Sequence, residues 1–299
     1  MDNKVDFTRF KDVVKLVDCE NRMENTSIMS GFERLDEVKQ GWFLGELCVI
    51  GGRPSIGKTG FIMSFISNLL NRNIPVSLFS ATDKLNKHFV TRFLKFLEDD
   101  EYMYNKEELN TTGIIDFSKM PFYLNFQHEM TLGYIKDNAQ ILVHDFGVKC
   151  IFIEDLQSIF YSEINGNTRE GMEIVCSDLK KLARDLNVPI IVTSDLNRSV
   201  EHCEWSKEPL MSHLCGSSAI ENMADSVILL HRPEYYKIYQ DIRGNDLRNI
   251  IEIQIHKNQN RCIGNAIYRF NHSIGCVEDF KSLIPIPKTE MLKIKDIHL

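Results

Sequence analysis

The stretch Gly52-Arg53-Pro54-Ser55-Ile56-Gly57-Lys58-Thr59 fits the pattern G-x-x-x-x-G-K-[S/T]. The apolar run 47–50 precedes it, and an apolar-periodic segment over residues 58–71 follows it. The pattern binds phosphate when it joins a strand to a helix. The glycines let the backbone wrap around a phosphate chain, and the start of the helix offers free N–H donors. The sequence therefore predicts a nucleoside triphosphate site in which Lys58 reaches the β- and γ-phosphates and Thr59 offers its hydroxyl to Mg²⁺.

The composition is that of an ordinary globular protein, with 43% hydrophobic and 26% charged residues in a chain of 299. No apolar run approaches membrane-spanning length and the first residues lack a signal-peptide core, so we expect a cytoplasmic protein without a membrane partner. The net charge of -7 argues against a surface that grips nucleic acid everywhere. This net charge does not exclude a few basic loops that line a channel.

The eight cysteines include no C-x-x-C pair, and several lie within apolar runs. This arrangement favours small core residues in a reducing compartment over a zinc site or disulfides.

Strand-like and helix-like segments alternate along most of the chain. The strand predictions cover residues 47–50, 76–80, 122–125, 150–153, 189–193, 227–230, 250–255 and 266–270, and the helix predictions include 58–71, 131–144 and the apolar positions Leu85 to Leu97 and Met172 to Leu186. This order predicts an α/β fold with a mostly parallel sheet flanked by helices and antiparallel strands at the C-terminal end. We expect one domain over residues 27–299, preceded by an arm over residues 1–26 whose apolar stripe from Phe7 to Val17 needs a partner.

Carboxylates follow two of the predicted strands. Glu154 and Asp155 come directly after residues 150–153, and Asp195 ends the next strand. Parallel strands deliver their carboxyl ends beside a phosphate loop, where acids hold Mg²⁺ and polar groups sense the terminal phosphate. Solvated loop acids are the plainer alternative, and the preceding apolar runs count against it.

Several segments in order resemble the C-terminal ATPase domain of DnaB-type replicative helicases, within the RecA-like fold. The resemblance covers the chain from about residue 28, through Ser30-Gly31-Phe32-Glu33-Arg34-Leu35-Asp36 for T-G-F-x-x-L-D, Gly45-Glu46-Leu47 for G-D-L, residues 53–59 for R-P-S-M-G-K-T, residues 154–157 for D-Y-L-Q, residues 179–189 for L-K-x-L-A-x-E-L-N-V-P, residues 194–198 for S-Q-L-N-R, and residues 218–225 for G-S-I-E-x-x-A-D.

The resemblance implies a ring, usually a hexamer, that binds ATP and Mg²⁺ between subunits, contacts single-stranded DNA and works with other replication proteins. It also implies that the arm packs on a neighbouring subunit. Family loops after Gln157 and Arg198 line the channel, which makes Arg169, Arg198 and Lys207 candidates for DNA contact. A solvated loop surface is an equally good interpretation of these cations.

Three departures from the family concern hydrolysis. The catalytic glutamate of S-L-E-M falls on Thr82, with Asp83 as a shifted substitute, and the metal-strand aspartate falls on Glu154. The K-x-R pair that reaches the neighbour's γ-phosphate corresponds to Lys257 and Gln259, with Arg261 two residues further on. An arginine supplied in trans is worth roughly 10³–10⁵ in rate in related NTPases. These losses indicate a chain that binds ATP and hydrolyses it slowly, unless Asp83 and Arg261 are shifted replacements.

The first functional hypothesis is a DnaB-like, ATP-dependent DNA helicase of replication. The alternative is a hydrolysis-impaired ATP-binding DnaB paralogue that acts as a scaffold, loader or mediator. A filament former of the recombinase kind is a third hypothesis on the same fold, because the fold alone does not choose among them.

Overall fold

The computed structural model describes residues 27–81, 83–98, 120–161, 164–165, 169–202, 206–259 and 261–280. Its strands are β1 (Ser27–Ile28), β2 (Trp42–Phe43), β3 (Leu47–Gly52), β4 (Val76–Ser80), β5 (Phe122–Phe126), β6 (Cys150–Glu154), β7 (Phe160–Tyr161), β8 (Ile164–Asn165), β9 (Ile190–Asp195), β10 (Ser226–His231), β11 (Ile250–Asn258), β12 (Gly264–Asn271) and β13 (Cys276–Glu278). Its helices are α1 (Glu33–Lys39), α2 (Lys58–Leu70), α3 (Asp83–Glu98), α4 (Leu132–His144), α5 (Arg169–Leu186) and α6 (Ser217–Met223).

Nine strands of the described residues form one sheet in the order β13-β12-β11-β10-β3-β9-β6-β4-β5. The six strands from β10 to β5 run parallel, and β11, β12 and β13 are added antiparallel to one another and to β10. The central strands β3, β4 and β6 are buried along their whole length, which is why their sequences are continuous apolar runs. Their carboxyl ends meet at one edge of the sheet.

Helices cover both faces of this sheet, and each face has its own apolar core. One core joins the strands to α1, α2 and α3. In this core Phe61 of α2 stacks on Phe32, and Phe65 of α2 packs edge-on against Phe152. The other core joins the strands to α4, α5 and α6. This two-sided burial holds β3, β6 and β9 rigidly, and the side chains that follow these strands are placed with corresponding accuracy.

The predicted α/β architecture is confirmed, with corrections at element ends. The strands predicted over residues 150–153 and 189–193 continue to Glu154 and Asp195, so each acid is the last residue of its strand. The helices α1 and α6 were not predicted, because seven residues are too few to show an apolar period. The predicted arm lies outside the described residues.

No helix in the described part of the chain is both long enough and apolar enough to cross a bilayer.

Candidate nucleotide site

The glycine loop connects the carboxyl end of β3 to the first turn of α2. Its backbone takes left-handed conformations at Ser55, with φ 64°, and at Gly57, with φ 124°. Gly57 precedes the helix and has no side chain that could cap it, so the first N–H groups of α2 are not blocked by a cap. A Cβ at Gly57 would lie 2.8 Å from the ring of Phe270, which adds a steric reason for glycine at this position. The loop thus has the conformation and the helix start that suit an anion.

The Lys58 ammonium lies at the centre of the loop. It donates to the carbonyl oxygens of Gly52 at 2.9 Å and Arg53 at 3.3 Å, and it forms an ion pair with Asp195 Oδ1 at 2.6 Å. Asp195 is opposite Gly52 in the pairing of β3 with β9, which explains how a residue 137 positions away reaches the loop. The structure therefore brings together two of the predicted site residues, Lys58 and Asp195.

Thr59 and Glu154 form the second pair in the site. The Thr59 hydroxyl donates to Glu154 Oε1, while Glu154 Oε2 is buried and has no hydrogen-bond partner among the described atoms. Burial raises the pKa of Glu154, and the Thr59 hydrogen bond, Lys58 and Arg92 act in the opposite direction. A buried carboxylate oxygen without a partner beside a threonine hydroxyl suits Mg²⁺, which prefers oxygen ligands and keeps several of its waters.

Asp155 lies next to Glu154, to which it is joined by a cis peptide bond, and is oriented by a short helical turn over Leu156–Ser158. Burial, together with the negative charge of Asp195, raises the pKa of Asp155 to about 6. The Gln157 side chain follows the same turn: its Oε1 accepts from the Asp195 N–H at 3.1 Å and its Nε2 donates to Ser194 Oγ at 2.8 Å. Gln157 thus ties the end of β6 to the end of β9.

Arg53 turns away from the loop centre toward the segment after β9. Its guanidinium donates to the Leu196 carbonyl at 2.7 Å and pairs with Glu201 at 2.5 Å. The Lys207 ammonium donates to the Glu201 carbonyl at 2.9 Å, and Arg198 is exposed at the start of the helical turn Arg198–His202. Two of the three predicted DNA-contact residues thus lie on the segment that Arg53 connects to the phosphate loop.

Lys257, Gln259 and Arg261 lie at the other end of the sheet. Lys257 pairs with Val227, and its ammonium donates to the Glu221 carbonyl at 2.5 Å. The Gln259 N–H donates to Asp225 just before β10, and the Arg261 guanidinium lies 3.6 Å from the ring centroid of Phe43, before β3 begins. The structure therefore does not bring these three residues to the chain's own phosphate loop.

Three predicted site residues are not described in full. Thr82 lies outside the described residues, while Asp83 opens α3 and Arg169 opens α5 without a described side chain. Their roles stay predictions.

Two arginines beside the loop were not predicted from the sequence. Arg92 of α3 donates from Nε to the Ile274 carbonyl at 2.8 Å and from Nη2 to Gly275, and its charge acts on Glu154. Arg232, buried at the end of β10, lies 4.2 Å from the ring centroid of Phe270 and donates to the Ile56 carbonyl at 3.4 Å. A single arginine within the apolar face of α3 was a signal for the first. The second comes directly after the apolar strand β10.

Comparisons with known proteins identify the family of the chain. The family model for the DnaB-like helicase C-terminal domain matches residues 27–279. Replicative DNA helicase DnaB of Geobacillus stearothermophilus is 32% identical over 262 residues, which cover 83% of this chain and 55% of the relative. Replicative DNA helicase DnaC of Bacillus subtilis is 30% identical over 285 residues, which cover 88% of this chain and 60% of the relative. The chain thus spans little more than half the length of these relatives.

Two solved structures share the fold. The first, an ATPase domain, aligns with a TM-score of 0.74 at 24% identity and covers 92% of this chain and 100% of that one. The second, a DnaB-like replicative helicase described with its interactions with primase, aligns with a TM-score of 0.74 at 23% identity and covers 92% of this chain and 68% of that one. With the family match over most of its length, this chain belongs to the family of DnaB-like helicase C-terminal domains.

Proposed function

We propose that the chain is the motor domain of an ATP-dependent DNA helicase of replication. The observation that supports this most strongly is the meeting of Lys58, Thr59, Glu154 and Asp195 at the carboxyl ends of β3, β6 and β9, in a chain of this family. A phosphate loop with a facing carboxylate is the arrangement that P-loop NTPases use for phosphoryl transfer. The two relatives above carry the name replicative DNA helicase.

In this proposal residues 52–59 hold the phosphates of ATP, and Thr59 with Glu154 holds Mg²⁺, with Asp155 close by. The Mg²⁺ ion would neutralise charge that develops on the phosphates. Lys58 orients the phosphate chain, while burial of Glu154 limits the access of bulk water to its carboxylate. Asp83 and Asp195 are the carboxylates available to orient an attacking water if Thr82 does not.

The same proposal gives Lys257, Gln259 and Arg261 a role in a neighbouring subunit. They lie near the amino end of the parallel strands, so in a ring of copies they would serve the phosphate loop of the next subunit. We propose a homo-oligomeric ring, most simply a hexamer, that moves along single-stranded DNA. Arg169, Arg198 and Lys207 would contact the DNA backbone, and other replication proteins would bind the ring.

Two contacts offer a route by which nucleotide could control the DNA segment. Lys58 holds Asp195 at the end of β9, and Arg53 holds Leu196 and Glu201 just beyond it. A change at the phosphate loop therefore acts directly on the segment that carries Arg198 and Lys207.

The test is steady-state ATP hydrolysis by the purified protein, with and without single-stranded DNA, beside a Lys58→Ala variant. We expect DNA-stimulated turnover in the wild type and a loss of at least about 100-fold in the variant, because Lys58 alone carries the ammonium at the loop centre. Unwinding of a forked duplex in the same preparation would establish the helicase.

Tight ATP binding with negligible turnover would contradict a motor and favour the hydrolysis-impaired scaffold. Equal turnover in wild type and Lys58→Ala would contradict the nucleotide site itself.

A further inference from the structure

The Lys58 ammonium has all of its donors engaged. An ammonium carries three N–H groups, and here they face the Gly52 carbonyl, the Arg53 carbonyl and the Asp195 carboxylate. The Asp195 contact is the shortest, at 2.6 Å, and it is the only one of the three that carries a charge. A phosphate oxygen can therefore reach Lys58 only by displacing an existing partner, and the side chain of Asp195 is the partner that can move.

The backbone of Asp195 is held in place. Its N–H donates to Gln157 Oε1 at 3.1 Å, and its carbonyl accepts from the Cys215 N–H at 3.0 Å. The residue also closes β9 opposite Gly52. The Asp195 side chain can rotate toward solvent, because 39% of it is exposed. The residue as a whole cannot move away, because its backbone is held.

A carboxylate held there remains close to any phosphate that Lys58 binds. Acceptor positions around an ammonium, each about 2.8 Å from the nitrogen, lie roughly 4–5 Å apart, so a carboxylate that rotates off Lys58 on a fixed backbone stays near the phosphate that replaces it. Like charges at that distance repel even in a high-dielectric surface site. The repulsion is greater for a nucleoside triphosphate than for a diphosphate, because Lys58, the partner of Asp195, is expected to reach the β- and γ-phosphates, and the γ-phosphate adds charge there.

We infer that Asp195 is a specificity-determining residue which lowers the affinity of the site for nucleoside triphosphate relative to nucleoside diphosphate. This inference rests on the proposed function, in that it takes residues 52–59 as the phosphate site. The carboxylate competes with the terminal phosphate for Lys58 and repels it. An amide at the same position would keep a hydrogen-bonding group of the same size and remove the charge.

Equilibrium binding of fluorescent analogues tests the inference without any measurement of turnover. The affinities of a fluorescent ADP and a fluorescent non-hydrolysable ATP analogue are measured with Mg²⁺ on wild type and Asp195→Asn. The control is Asp178→Asn, the same substitution in a carboxylate that pairs with Lys136 between α4 and α5. We expect Asp195→Asn to shift the ratio of the two affinities about tenfold toward the triphosphate, and the control to leave the ratio unchanged.

An unchanged ratio in Asp195→Asn, or a shift toward the diphosphate, overturns the inference. Should Asp195→Asn fail to unfold cooperatively, Asp195→Gln replaces it with the same expectation. Failure of the proposed function is a different result, in which the wild type binds neither analogue more tightly than Lys58→Ala does.

Discussion

At the scale of single residues, two buried polar atoms have surroundings that are unusual for their type. Glu154 Oε2 and His231 Nδ1 are both buried without a hydrogen-bond partner among the described atoms. The first has a proposed role in holding Mg²⁺ through its free oxygen. The second lies at the end of β10, where its ring stacks on Tyr236 at 5.7 Å between centroids.

His231 should make the protein less stable in acid. Burial lowers its pKa from the ordinary value of 6.5 to about 4, so between these pH values the unfolded chain binds a proton that the folded chain does not. The free energy of unfolding therefore falls as the pH is lowered from 6.5 to 4, by about 3 kcal/mol in full at about 1.4 kcal/mol per pH unit. His231→Phe, which keeps a stacked ring, should remove this contribution. Urea unfolding of both proteins at pH 7 and pH 4.5 measures it, and equal pH dependence in both would contradict the assignment.

At the scale of elements, α2 and the turn that joins β12 to β13 approach each other closely at Gly60. A Cβ at Gly60 would lie 2.0 Å from the Gly275 carbonyl oxygen, and Arg92 binds the same turn. Gly133 in α4 has nothing within 4 Å of its Cβ position. Gly60 and Gly133 both lie in helices, but only Gly60 has a neighbour that would obstruct a side chain.

The substitution of alanine at these two glycines should act in opposite directions. Gly133→Ala should raise the free energy of unfolding by about 0.5–1 kcal/mol, because alanine has the higher helix propensity and nothing obstructs it. Gly60→Ala should lower the free energy of unfolding by about 1–3 kcal/mol, because the methyl group meets backbone that cannot rotate away. Denaturant unfolding of the two variants checks this. Stabilisation by both would mean that the turn does not approach α2 so closely.

The strands and their terminal acids could be predicted from the sequence, whereas the contacts between distant elements could not. The runs that form β3, β4 and β6 were predicted because both faces of a parallel strand are apolar, and the acids Glu154 and Asp195 were predicted because they end such strands. The ion pairs of Lys58 with Asp195 and of Arg53 with Glu201 were not predicted, because they join residues 137 and 148 positions apart that only the folded chain brings together. The hydrogen bonds of Arg92 to the β12–β13 turn could not be predicted either, because the turn is distant from α3 in the sequence.

At the scale of the whole molecule, residues 27–279 match the family as one unit, and we propose that the domain begins at residue 27. A variant without residues 1–26 should unfold with an unchanged midpoint and bind nucleotide normally. It should also form smaller assemblies, because the arm's apolar stripe would no longer reach a neighbouring subunit. Denaturant unfolding and light scattering with wild type as the reference test this. A variant that forms full-sized assemblies would contradict the role of the arm, and one without cooperative unfolding would contradict the domain boundary.

The placement of the phosphate loop and Lys257 near opposite ends of the parallel strands has a consequence for symmetry. If the Lys257 of each subunit serves the loop of one neighbour while its own loop is served by another neighbour, each contact joins two different surfaces. Contacts of this head-to-tail kind either return to the first subunit or continue as an open spiral, according to the rotation from one subunit to the next. Whether the assembly closes is therefore decided by an angle between subunits and not by the chemistry of any one residue.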